Sequence, residues 1–200
     1  MENGKKINSE NDILSEALFI GLRIDLGRII YTHKTHEKEI ELLSKTVSRL
    51  RWLELLLISL TAGGTIIVLL GTGFYFQLVT TILATLAVIA TIYKMSFNPE
   101  QVILEHRKAA RNVWLMREKY INLLCDLYDH SIAYEEGRAK RDQLLNELHK
   151  IYGEAPDTSQ KAFAIAREAL KIVDEMNMTE KELDKILPPA LLKIFDHKIK

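Results

Sequence analysis

Residues 55–93 read LLLISLTAGGTIIVLLGTGFYFQLVTTILATLAVIATIY, without one Asp, Glu, Lys or Arg. A membrane-crossing helix needs about 20 apolar residues, so this run is long enough for two with a turn between them. Gly71-Thr72-Gly73 near its middle supplies the turn, because glycine tolerates backbone angles that other residues avoid. The run therefore predicts a transmembrane hairpin, with a first span over residues 55–70 and a second over residues 74–93. Both spans are short, which leaves little room for tilt. Trp52, Tyr75 and Tyr93 fall near the expected boundaries, where an amphipathic ring prefers the membrane interface.

The flanks fix a direction. Lys38, Lys45, Arg49 and Arg51 precede the first span, Lys94, Arg107, Lys108 and Arg111 follow the second, and the turn carries no cation. By the positive-inside rule both termini are expected in the cytoplasm. A label at Thr72 is then expected to be reachable from outside the membrane, and one at Cys125 is not. The predicted fold is an all-α membrane protein, a two-helix transmembrane hairpin with long cytoplasmic helical arms forming a helical bundle. It divides into an N-terminal amphipathic segment (1–36), a cytoplasmic helix continuous with the first span (37–54), the hairpin (55–93) and a cytoplasmic helical domain (94–200).

Composition agrees with long helices. The 200 residues include only four prolines and nine glycines, few enough punctuation points for helices to run on. With 27 Lys+Arg against 27 Asp+Glu the chain is formally neutral. It lacks the global basic field that would argue for nucleic acid, and no direct nucleic-acid binding is expected. A single cysteine, Cys125, excludes an internal disulfide. The polar start carries no secretory signal, so the hairpin itself is expected to direct insertion.

In the arms, residues 1–10 are polar and expected to be loose. Ile13, Leu14, Ala17, Leu18 and Gly21 follow helical spacing and predict a helix over residues 11–30. Residues 31–36 are ambiguous. Ile40, Leu43, Val47 and Leu50 form a stripe on a helix expected to start near Lys38 and enter the membrane. Asn98-Pro99-Glu100-Gln101 reads as a helix start, with Asn98 as cap and Pro99 at the first helical position. That helix reaches about Tyr128, with a seam of Ile103, His106, Ala110, Val113, Arg117, Tyr120 and Leu124. A further helix is expected over residues 135–152, with Leu144, Leu145 and Leu148 inward. Another begins at Thr158, with Ala162, Ile165, Ala166, Ala169, Val173 and Met176 on one face. Thr179-Glu180-Lys181-Glu182 is a capping box, and Leu187-Pro188-Pro189 breaks the short helix that follows it.

Candidate functional residues lie in the hairpin. Ser59 with Gly63, and Ala87 with Thr91, are small-xxx-small pairs that let helix backbones approach in lipid. Together with Gly64 they suit packing. Thr81 and Thr85 could line a water path between associated copies, or their hydroxyls could be satisfied on their own helix. The absence of charge inside the run argues against a proton-coupled transporter or a voltage sensor. His33 with His36, and Asp126 with His130, have ligand-like helical spacing, but two ligands do not hold zinc, and solvated faces are the expectation. His106 sits on an apolar seam beside Arg107, Lys108 and Arg111, which suits a polar contact between packed helices. There is no phosphate-binding glycine loop, nucleophile turn or histidine–carboxylate set, so neither enzyme activity nor a cofactor or bound metal is expected. Cys125 reads as a small core residue.

The order of parts resembles the SLATT family, two-transmembrane effectors associated with nucleotide-signal conflict systems in prokaryotes. The resemblance rests on a helix running into a tight hairpin, then a long helix opening with His106-Arg107-Lys108-Ala109-Ala110. Trp114, the stretch Arg117-Glu118-Lys119-Tyr120, and the later blocks at residues 141–144, 151–158 and 162–163 also carry it. It covers residues 38–190. It implies a pore-forming or membrane-breaching effector of the bacterial inner membrane, homo-oligomeric, in antiviral defence by abortive infection. The implied trigger is a sensor, a nucleotidyltransferase or a reverse transcriptase-like partner of the same defence system. His106, Ala110, Trp114 and Arg117 are then the candidates for contacts of the cytoplasmic helix. The competing reading is a membrane-anchored helical scaffold without pore activity.

Overall fold

The computed structural model describes residues 2–69, 71 and 73–170, with side chains from residue 16 onward. Among the described residues there are five helices and no strand: α1 (Glu2–Leu69), α2 (Phe74–Phe97), α3 (Pro99–Tyr128), α4 (Tyr134–Glu154) and α5 (Gln160–Leu170). The protein is an all-α membrane protein with two helices apolar and long enough to cross a bilayer.

α1 corrects two expectations. Residues 2–10 are helical rather than loose, and residues 31–36 interrupt nothing. The ambiguity came from Tyr, Thr, His, Lys, Thr and His, mostly middling helix formers. That stretch contains no Gly or Pro to stop a helix. The hydroxyls of Thr32 and Thr35 donate to the carbonyls of Arg28 and Tyr31, each at 3.0 Å, so both are satisfied within the helix. Tertiary burial of the neighbouring stripe decides the outcome over weak local preference.

The chain forms two compact units. One comprises Met1–Glu39 with Glu105–Lys200, the other Ile40–Leu104. In the first, the α1 stripe Leu22, Leu26 and Ile29 is wholly buried, as are Val113, Tyr120 and Leu124 of α3. Leu148 of α4 joins the same core, and Ala162 and Ala166 of α5 are also fully buried. Each large apolar side chain removed from water contributes about 1.5–3 kcal/mol. Asp25 acts on Tyr120 and His36 meets His106, so α1 and α3 run antiparallel here.

Several arm details differ from expectation. Leu145 is exposed rather than inward, because the burial phase of α4 passes through Leu144 and Leu148. On α3 the buried face also takes in Ala109, Met116 and Leu123, whereas Arg117 is only half-buried. α5 begins at Gln160, and within it Ile165 is half-buried and Ala169 exposed. Val173, Met176, the capping box at Thr179 and the proline pair at Pro188 lie outside the described residues.

The second unit contains the hairpin. Gly71 has φ +88°, a left-handed conformation that costs other residues about 1–2 kcal/mol, and Gly73 is the N-cap of α2. At the far end of α2, Asn98 is not an N-cap in extended conformation. It sits at φ 36°, ψ 56° as the C-cap of α2, its N–H donating to the Lys94 carbonyl. Its own carbonyl accepts from the N–H groups of Gln101 and Val102. Asparagine is one of the few residues besides glycine that visits this region readily. One residue thus ends α2 and starts α3, with Pro99 where its missing N–H costs nothing.

Candidate functional site in the hairpin

Partial burial recurs along each hairpin helix with helical period. On α1 it falls at Glu54, Leu57, Thr61, Gly64 and Val68, and on α2 at Thr80, Leu83, Ala84, Ala87, Thr91 and Lys94. These are the facing sides of an antiparallel pair. At Gly64 the approach is closest, since a Cβ there would sit 2.5 Å from Thr80 Oγ1. At Gly63 a Cβ would meet nothing within 4 Å. Gly64 and Thr91 therefore lie on the seam, whereas Ser59, Gly63, Thr81 and Thr85 lie on exposed sides.

The hydroxyls are satisfied locally. Ser59 donates to the Leu55 carbonyl, Thr81 to that of Gln77 and Thr85 to that of Thr81, at 2.8–2.9 Å. This lets them sit in an apolar medium without an unpaired donor. Gln77, Thr81 and Thr85 are four residues apart and all exposed, so they form one polar strip on the outer side of α2.

The base of the hairpin carries charge. Glu54 accepts from Lys94 Nζ at 2.8 Å and from Thr91 Oγ1 at 2.7 Å. A second pair, Arg51 with Glu100 at 3.0 Å, is exposed on both sides. Trp52, Tyr75 and Tyr93 all present their rings outward.

In the other unit, His36 and His106 are buried with their Nδ1 atoms 2.9 Å apart. One ring donates and the other accepts, so the two hold opposite tautomers. Burial drives the basicity of both below the usual histidine value, His36 to about 4. His36 is thus not on a solvated face. His33 is half-buried beside it. Asp126 and His130 do not share a helical face, because α3 ends at Tyr128 and His130 has φ 59°. No group of three or more metal-ligating side chains occurs among the described residues.

Ala110 is buried next to His106 on the same face. Trp114 and Arg117 are not part of that contact. The Arg117 guanidinium lies 5.9 Å from the exposed Trp114 ring and is paired with Glu118. Cys125 is half-buried against the core, and burial pushes its thiol up, away from nucleophile chemistry. A groove of about 230 Å³ opens beside His36, lined among others by Tyr31, Tyr152, Asp157 and Phe163. Among the described residues neither Lys nor Arg lines it.

The family model for the SMODS and SLOG-associating 2TM effector domain, family 4, matches residues 20–182. The chain belongs to the SLATT family. Nothing among curated proteins or solved structures matches it. SLATT membership identifies α2 and the apolar end of α1 as the two transmembrane helices of the effector domain. It also associates the domain with SMODS and SLOG partners. The residues that sequence reasoning missed are Glu54 and Lys94, which looked like mere flanks, and the His36 partner of His106. A signal for His36 was present, because it falls in phase with the stripe Ile29, Ile40, Leu43 and Val47.

Proposed function

We propose that this SLATT protein is an effector of a prokaryotic conflict system that opens the inner membrane when a partner triggers it. Both termini lie in the cytoplasm, an orientation that the cations flanking the hairpin support, and the helical arms receive the signal. Copies associate through the outer side of α2. The observation that carries this reading is the strip Gln77, Thr81 and Thr85, a row of polar groups facing away from the hairpin's own seam. A lone hairpin would gain nothing from such a row in lipid, whereas neighbouring helices or a water path would use it. The trigger comes from a protein partner or an interface between subunits, a choice supported by the family's association with SMODS and SLOG partners. Induced expression together with the neighbouring genes should arrest growth. Replacing Thr81 and Thr85 with leucine should relieve the arrest while leaving insertion intact. Full arrest by that variant would remove the strip from the account.

One observation favours a second reading, a tethered scaffold. Every hydroxyl in the strip is satisfied on its own helix, so lipid exposure of those residues is tolerable. An unrelated two-span anchor in place of residues 55–93 would then preserve function. Loss of function in a correctly inserted swap counts against the scaffold.

A further inference from the structure

The base of the hairpin holds two ion pairs in succession, and they differ. Arg51 and Glu100 are largely exposed, with side-chain exposures of 61% and 56%. Glu54 and Lys94 lie on the seam between α1 and α2, at 14% and 32%. Between the two pairs come Trp52 and Leu53 on α1 and Met95 and Phe97 on α2, all exposed and apolar. Apolar surface thus continues past Glu54 and Lys94 toward the outer pair, about one helical turn further on.

On α1, length gives the same boundary independently. Residues 55–69 rise only about 22 Å at 1.5 Å each, short of a hydrocarbon core of about 30 Å. Residues 52–69 rise about 27 Å. The 24 residues of α2 rise about 36 Å. Including Trp52 brings the α1 span close to membrane length and places Glu54 inside the apolar band. On α2, residues 74–93 already rise about 30 Å, and Lys94 is held at the depth of Glu54 by their pairing across the seam.

We propose that Glu54 and Lys94 form a charged latch within the apolar band that holds the base of the hairpin closed. Thr91 completes it, its hydroxyl shared between Glu54 at 2.7 Å and the Ala87 carbonyl at 3.0 Å. Ionised groups at membrane depth persist only when paired. Separating the helices here strands a carboxylate and an ammonium, so the base is either fully closed or rehydrated and open. As a control point for opening, the latch rests on the effector reading above. As a structural element it does not.

The test uses the full chain with Cys125→Ser, spin-labelled at Leu53→Cys and Met95→Cys and reconstituted in lipid vesicles. Both labels should relax with dissolved oxygen rather than with an aqueous nickel chelate. Dominant relaxation by the chelate would place the pair outside the band and overturn the proposal. The label-to-label distance should be single and short. Glu54→Gln and Lys94→Gln should each lose that population to a longer one, and the swap Glu54→Lys with Lys94→Glu should restore it. An unchanged distance in the single variants, or a swap as open as they are, would overturn the latch. Ion leakage from the same vesicles separates the two claims. Opening without leakage supports the latch and counts against the effector reading, whereas leakage with a closed base overturns the latch as the control point for opening.

Discussion

Two buried histidines facing each other through Nδ1 atoms cannot both be protonated there, because two N–H groups would then point at one another. The groups around the pair are Glu39, His33 and Glu105. The carboxylates favour protonation, His33 opposes it for His36, and burial outweighs them all. Both pKa values fall, so between the ordinary value of 6.5 and about 4 for His36 the unfolded chain binds more protons than the folded one. Stability contributed by the neutral pair is therefore complete above pH 6.5 and is lost as pH falls toward 4. A melt of the detergent-solubilised chain should lose on the order of 2 kcal/mol over that window. The double variant His36→Leu with His106→Leu should flatten the dependence; an equally steep profile would assign the titration elsewhere. Tyr120 makes a contrasting case. Its hydroxyl is buried without a hydrogen-bond partner among the described residues, and burial raises its pKa well above the usual tyrosine value. Tyr120→Phe should therefore be neutral or slightly stabilising, because the folded state loses no bond. Leu26→Ala in the same core should cost about 2–5 kcal/mol. A large loss for Tyr120→Phe in chemical denaturation would reveal a bridging water on the hydroxyl.

At the scale of elements, neighbouring glycines provide a controlled comparison. Gly63→Ala adds a methyl into open space and should stabilise the helix by up to about 1 kcal/mol. Gly64→Ala drives a methyl into Thr80 and should weaken the hairpin, as should the bulkier Gly64→Leu. Reversible unfolding in mixed micelles reads both, and equal effects would mean that the helices do not pack at Gly64. The hairpin was legible because its signals are local: an uncharged run, glycines at the turn and cations at the rim. The helix through residues 31–36 was not, because only burial of Leu22, Leu26 and Ile29 against α3 decides it. Contacts across the chain were also hidden. His36 and His106 stand 70 residues apart, and Glu54 meets Lys94 across the turn. In the sequence His106 reads as a polar contact between packed helices without a named partner, and His36, Glu54 and Lys94 read there as ordinary solvated groups.

At the scale of the whole molecule, the orientation has its own test. With Cys125→Ser as background, Thr72→Cys should react with a membrane-impermeant maleimide in intact cells, and Ala139→Cys on the exposed side of α4 should react only after lysis. The reverse pattern would place the arms outside. The strip on α2 and the seam with α1 divide the hairpin into one face that holds it together and one that faces outward, which the proposed effector uses to meet other copies. That division is the central claim, and the membrane potential tests it most directly. A voltage-sensitive dye should be followed in cells expressing the protein with its native neighbours, before viability falls. Wild type is predicted to depolarise early on triggering, and the Thr81→Leu, Thr85→Leu variant to hold its potential at equal membrane abundance. A steady potential in wild-type cells that the triggered system still protects would contradict the account and leave the hairpin as an anchor.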